Sequence, residues 1–291
     1  MSNDFVKFVS DIDNLFYSKN LHPSDHGKSK IVEVFYDTFR KNAWWYHSTH
    51  GDGFDMLSVL SASDYGIDFD MNTNSVTRAS KLVPALEKNA TWNSMTLSLV
   101  RTTMKGVGPG EMFFTFVHPK AVFDSAKDLV IDGKELECKK FTGGCIKGNA
   151  DSQFRIADNL CKKYDLRDKP RQKAQAYYMN ISKLSESYRS QYWKELYPNM
   201  SEVNIEKLTN IGATTAKPSQ VHGTIVMSEY RKIDNFDSLL LVGEENNPKI
   251  IHLTDFEDSD FIQDNIKFLP KFWRGGDTNA VGDGYVVIEG N

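Results

Sequence analysis

The chain has 291 residues, with Lys+Arg 35 against Asp+Glu 39 and a formal net charge of −4. That balance excludes a generally basic nucleic-acid coat and leaves room for a local basic strip. With 40% hydrophobic, 12% aromatic and 25% charged residues, global disorder is excluded, and the length suggests one core with sizeable additions.

No apolar run reaches the roughly 18 residues of a membrane span, and Asp4, Lys7, Asp11 and Asp13 interrupt the apolar residues of the N-terminus, unlike a signal peptide. The three cysteines, Cys138, Cys145 and Cys161, contain no C-x-x-C pair. Neither a disulfide framework nor a structural zinc is expected, and the setting implied is reducing and cytoplasmic, with no membrane partner.

Phe5, Phe8, Val9, Ile12, Leu15 and Phe16 recur at steps of three and four and predict an opening helix; Ile31, Val34, Phe35 and Phe39 predict a second over 31–40. Residues 42–75, rich in Asn, Ser, Asp and Gly, suggest short strands or loops, and 78–88 a helix. Lys105-Gly-Val-Gly-Pro-Gly110 forces a turn before the apolar segment Glu111 to Val117. Asp128 to Lys140 alternates on both sides of Asp132-Gly133, the dipeptide preferred in a two-residue type I′ hairpin. Helices are expected over 151–164 and 170–197, and strands over 221–227, 238–242, 249–253 and 285–288. The fold class is therefore α/β, a mixed central sheet flanked by helices. Residues 1–100 would form an N-terminal, largely helical elaboration, 101–260 the α/β core with a helical insertion, and 261–291 a C-terminal extension.

With Asp132-Gly133 as the turn, Ile131 pairs with Lys134, Val130 with Glu135, Leu129 with Leu136 and Asp128 with Glu137. Two carboxylates at a Cβ separation of roughly 5 Å repel unless a cation lies between them. Mg²⁺, which takes oxygen ligands from one or two carboxylates, waters and phosphates, is the natural occupant, and Mn²⁺ could substitute. Period-2 alternation puts Lys139 on the same face and Leu136 and Cys138 on the other. Carboxylates that fix a metal, beside a cation that orients the nucleophile or steadies charge, are what metal-assisted phosphodiester hydrolysis requires.

The pattern Asp128-x8-Glu137-x-Lys139 on a hairpin, preceded by Glu111 at the start of an apolar segment, resembles the PD-(D/E)XK superfamily of restriction-endonuclease-like nucleases. Gly-Glu-Met-Phe-Phe before the hairpin and Gly143-Gly144 after it also resemble nuclease-like proteins of tailed phages. The resemblance covers roughly residues 106–149. It implies a restriction-endonuclease-like core, with Glu111 as the acid of the first core helix, Asp128 and Glu137 as metal ligands and Lys139 as catalytic lysine. No proline precedes Asp128, and Gln175-Ala-Tyr-Tyr178 has the wrong spacing for the Gln-x-x-x-Tyr motif of the exonuclease branch, so a DNA endonuclease is favoured. A homodimer would follow if both strands are cut, and host cytoplasm if the chain is phage-encoded. The other reading is a non-catalytic DNA-binding or virion structural or processing protein that keeps the core without turnover.

DNA contact requires positive charge. Residues 147–173 are locally basic, and Lys140, Lys147, Lys162, Lys163 and Arg171 are the candidate phosphate contacts, although a charge-mixed solvated face is the commoner meaning of such a strip. His26-Gly-Lys-Ser29 has no glycine where a P-loop needs one. His22 with His26 and His47 with His50 have helical ligand spacing without a third ligand. Asp255 to Asp260 lacks the glycine and terminal glutamate of a calcium loop. Trp44-Trp45-Tyr46 suggests a core more than a base-stacking platform.

Overall fold

The computed structural model describes residues 2–24, 30–61, 70–82, 111, 114–115, 118, 120–123, 128–141, 144–147, 159–166, 174–243, 248–271 and 285–290. The chain divides into two compact units, Met1–Phe141 with Phe236–Thr254, and Thr142–Asn235 with Asp255–Asn291. That division falls elsewhere than at residues 100 and 260, because the N-terminal helices share a core with the hairpin sheet.

In the first unit, α1 (Asn3–Ser18) starts at Ser2, whose hydroxyl accepts the Phe5 N–H at 3.3 Å. Phe8, Ile12, Leu15 and Phe16 form its buried stripe. Helix α2 (Lys30–His50) continues ten residues past the expected end, and α3 (Gly53–Ser61) follows, where strands or loops were expected. Two features override the polar composition of this stretch. Ala43 and Tyr46 extend the buried stripe of Val32, Phe35, Tyr36 and Phe39, and the Ser48 and Thr49 hydroxyls donate back to the Trp45 carbonyl at 2.8 and 2.7 Å, a bond that lets them sit within a helix. Strand β1 (Ser75–Arg78) and the short α4 (Ala79–Leu82) stand where the helix over 78–88 was expected to begin, and 83–88 lie outside the described residues.

Strands β2 (Ala121–Phe123), β3 (Leu129–Ile131) and β4 (Lys134–Lys140) form a meander. The chain then enters the second unit with β5 (Gly144–Lys147), a helical stretch at 159–163, α5 (Ala174–Ile181), α6 (Glu186–Leu196), α7 (Glu202–Thr209) and α8 (Pro218–Asp234). It returns to the first unit with β6 (Ser238–Val242) and β7 (Lys249–Leu253), and finishes in the second with α9 (Ser259–Asn265), β8 (Ile266–Lys271) and β9 (Tyr285–Gly290).

The first unit holds a six-stranded mixed sheet in the order β1-β7-β6-β4-β3-β2, in which β4 and β6 are parallel and every other pair is antiparallel. Leu129, Ile131, Leu136, Cys138, Leu240, Val242 and Ile250 share one core with Phe8, Phe16, Phe35 and Phe39, so α1 to α3 cover one face of the sheet. Alternate residues Leu239, Leu241, Ile251 and Leu253 are buried on the opposite face.

In the second unit β5, β9 and β8 form a three-stranded antiparallel sheet. The strand expected over 221–227 is instead part of α8, which begins with Pro218 in its first turn and is buried from His222 to Glu229 except at Thr224. A helix buried on nearly every side has the continuous apolar run of a buried strand, and the run of Thr, Ile and Val adds strand propensity. Gly223 lets α8 lie directly on β8, since a Cβ there would be 2.1 Å from the Phe268 carbonyl oxygen. The helix expected over 170–197 is two, broken at Ser185, whose hydroxyl caps α6 by accepting the Tyr188 N–H at 3.4 Å. Behind α6 the fully buried His222 is held by the Tyr178 hydroxyl at Nδ1 (2.8 Å) and the Tyr197 hydroxyl at Nε2 (2.6 Å).

Candidate functional site

The hairpin turn has the geometry its sequence dictates: Asp132 and Gly133 both adopt positive φ, 51° and 77°, as a type I′ turn requires. The rungs Ile131–Lys134, Val130–Glu135 and Leu129–Leu136 follow, and there the ladder ends. Asp128 is therefore not a fourth rung opposite Glu137, which corrects the sequence expectation. Its carboxylate instead turns to the β4 backbone, and Oδ2 accepts the Cys138 N–H at 2.9 Å. A carboxylate can satisfy a strand N–H in place of a carbonyl, so the ladder need not continue.

The side chains of Asp128, Glu137 and Lys139 nevertheless meet. The Lys139 ammonium lies 3.1 Å from Asp128 Oδ2 and 2.6 Å from Glu137 Oε1, and also donates to the Cys138 carbonyl at 3.0 Å. Their side chains are 24, 27 and 16% exposed for Lys139, Asp128 and Glu137, so the charges are partly withdrawn from water. Burial pushes the Glu137 carboxyl above its usual range; the Lys139 ammonium opposes the rise and the Asp128 carboxylate adds to it. Burial alone would lower Lys139, but the Asp128 and Glu137 carboxylates outweigh it and hold the ammonium above the ordinary lysine value. The two directions are compatible because burial disfavours both charges: at Glu137 it is the largest cause and prevails, whereas at Lys139 two carboxylates together outweigh it.

Glu111 is helical and buried, and the Thr115 hydroxyl donates to its carbonyl at 2.7 Å. The Cys138 thiol is pushed well up by its own burial and then by the Asp128 and Glu111 carboxylates, which brings Glu111 into electrostatic range of the hairpin. Among the described residues, no group of three or more His, Cys, Asp or Glu side chains is gathered to hold a metal ion. The structure thus brings the carboxylates of Asp128 and Glu137 together at Lys139, and Glu111 is not gathered with them as a third.

Of the expected phosphate contacts, Lys162 and Lys163 are exposed in the second unit, and Lys163 is engaged with both carboxylate oxygens of Glu195 at 2.6 and 2.8 Å. The side chains of Lys140, Lys147 and Arg171 lie outside the described residues, as does His26. The remaining histidines of the spaced pairs serve packing: His22 stacks on Tyr17, His47 on Phe8 and His50 on Tyr46. Trp44 packs edge-on against Phe5 and Phe8, and Tyr46 is buried, so of the aromatic triplet only Trp45 is exposed. Asp258, in the acidic run 255–260, caps α9 by accepting the Phe261 N–H at 3.0 Å.

Two features had no signal in the sequence. One is the Cys138 amide that orients Asp128, since every residue but proline carries an N–H. The other is a cavity of about 400 Å³ in the second unit, lined by residues such as Asn204, Gln220, Ile225, Phe256 and Ile262, which come from segments far apart in the chain. Among the described residues, no helix is long and apolar enough to cross a membrane. Compared with protein families, curated proteins and solved structures, the chain matches none.

Proposed function

We propose that the protein is a Mg²⁺-dependent DNA endonuclease with a restriction-endonuclease-like core, hydrolysing phosphodiester bonds at Asp128, Glu137 and Lys139. The observation that carries this reading is the ammonium of Lys139 held between two partly buried carboxylates. The site already binds one cation and has charge for more. A central β4 that is parallel to β6 and hairpin-paired to β3 supports a core of that kind.

Mg²⁺ fits the donor set, because Asp128 and Glu137 present hard carboxylate oxygen atoms side by side at the shared Lys139 ammonium. When bound it lowers the pKa of a coordinated water and neutralises phosphate charge. Glu137 must be ionised to hold it, so loading is favoured as pH rises past the raised pKa of that carboxyl. The Cys138 amide fixes the Asp128 carboxylate toward the ligand position. Lys139, held protonated at neutral pH, acts as a hydrogen-bond donor and fixed positive charge toward the nucleophile and the phosphate oxygens, not as a general base. Glu111, buried on its helix within electrostatic range of Cys138, is the acid that would support the shell from the neighbouring helix. A homodimer would place two such sites on the two strands of a duplex.

The test is cleavage of supercoiled, linear duplex and single-stranded DNA with Mg²⁺, Mn²⁺ or EDTA, comparing the intact protein with Glu137→Ala and Lys139→Ala. Metal-dependent cutting lost in both variants is the expected result. No cutting on any substrate, with no thermal shift from metal, would overturn it in favour of a non-catalytic role.

A further inference from the structure

Beyond Lys139, the sheet carries a second row of residues on the same face. Phe141 donates its N–H to the Val242 carbonyl at 2.8 Å and Gly243 donates to the Lys249 carbonyl at 2.8 Å, so the β4–β6 and β6–β7 pairings each run one step past the strand ends. The row is completed at the sheet edge by Arg78, the β1 partner of Lys249. Phe141, Gly243, Lys249 and Arg78 therefore lie side by side, and alternation places them on the face that carries Lys139, Leu241 and Ile251 in the row before. Two residues of strand separate Phe141 from Lys139, roughly 7 Å of rise.

Gly243 decides where Lys249 goes. With no side chain between β7 and β4, the Lys249 side chain crosses the gap, and its ammonium lies 5.0 Å from the centroid of the Phe141 ring. Resting on an aromatic face limits the rotamers of a lysine and holds its charge in place beside β4. Lys249 is half-buried and Arg78 exposed.

We infer that Lys249, laid over Gly243 onto Phe141, is a phosphate-binding residue that holds the nucleic-acid strand next to the reacting position, with Arg78 continuing the track to the edge of the sheet. The inference rests on the nuclease reading above and deepens it, by assigning the strand path to the row that runs from Phe141, one step past Lys139, through Lys249 to Arg78 at the edge. The basic strip of the second unit is not needed for this contact.

Binding of a fluorescein-labelled DNA duplex, followed by anisotropy across a series of salt concentrations in Ca²⁺, tests it on the full chain, with Lys249→Gln, Arg78→Gln and Lys249→Arg. Each Gln variant is expected to bind several-fold more weakly, irrespective of DNA sequence, and to lower the slope of log K against log salt by about 0.9, one phosphate contact. Lys249→Arg should keep the slope. The metal-dependent thermal shift should be the same in all four proteins, which separates strand holding from metal binding and shows that the variants are folded. A Lys249→Gln variant with the affinity and salt slope of the intact protein would overturn the inference while leaving the nuclease reading in place. An intact protein that shows neither a metal shift nor DNA binding would overturn both.

Discussion

Replacing Glu137 with Gln separates a ligand site from a structural ion pair, because the two predict opposite effects on stability. In the intact protein the Lys139 ammonium is shared between Glu137 at 2.6 Å and Asp128 at 3.1 Å, and Glu137 is the acid whose pKa is raised by burial and by its neighbour's charge. An acid with a raised folded pKa binds more protons folded than unfolded between its unfolded value, about 4.3, and the raised one. Stability therefore falls as pH rises through that window. Glu137→Gln keeps the shape, removes the excess charge and leaves Lys139 one full partner, so without metal the variant should be at least as stable at neutral pH, with a flatter pH profile. With Mg²⁺ at a hundredfold excess over its dissociation constant, the intact protein gains about 2.7 kcal/mol. For a unit of this size that is about 5–10 °C in melting temperature, and the variant should lose most of it. Thermal melts with and without Mg²⁺, across pH 5 to 8, read both effects. If the metal-free variant instead loses the roughly 3–5 kcal/mol typical of breaking a buried pair, and metal shifts both proteins equally, Glu137 is a structural partner of Lys139 and the site does not hold metal.

Gly133 sits at φ 77°, so Gly133→Val should cost about 1–2 kcal/mol in urea unfolding and reduce cleavage by misaligning β3 with β4. Gly223→Ala should destabilise the second unit by more than an ordinary helix Gly→Ala stabilises one, because the new Cβ would meet the Phe268 carbonyl oxygen of β8 at 2.1 Å; an unchanged melting temperature would refute the contact between α8 and β8. Burial depresses His222 to about 3 and His118 and His252 to about 4. In each case the unfolded chain binds the proton that the folded one refuses, so stability is full above pH 6.5 and falls below it by up to about 1.4 kcal/mol per pH unit and histidine. Denaturant titrations between pH 7 and 5, above the usual carboxylate range, measure the loss, and a flat profile there would refute the neutral buried histidines.

Where pattern and contact share the same few residues, the sequence was a sufficient guide. The I′ turn, the three rungs that follow it and the polar and apolar faces of β4 all arise between positions 128 and 139. The opening helices were visible for the same reason, since their apolar spacing is the spacing of the buried face. The errors begin where a residue's surroundings come from elsewhere in the chain. Polar composition over 42–61 suggested irregular structure, but Ala43, Tyr46, Leu57 and Leu60 fill a core whose other wall is the sheet. The apolar run 221–227 fits a buried strand equally well, and only the packing of Gly223 on Phe268, more than 40 residues later, makes a helix of it.

The same distinction runs through the candidate site. Asp128, Glu137 and Lys139 are brought together by a two-residue turn, so the donor set belongs to a short local segment. What raises the Glu137 carboxyl is first of all burial, and β4 is a central strand because β6 pairs with it in parallel after the chain has passed through the second unit. A parallel partner cannot come from a hairpin and needs a long crossover connection. An isolated hairpin would hold the three side chains in water, where a pair of carboxylates and an ammonium are screened and ordinary. In the folded sheet the same residues carry a repelling acid pair and a strongly held cation. The chemistry proposed for this protein thus depends on a strand, Ser238–Val242, that contributes no polar side chain to the site beyond its backbone register with Glu137 and Lys139. Phe141 and Gly243 extend that register by one step, and with it the face on which Lys249 lies.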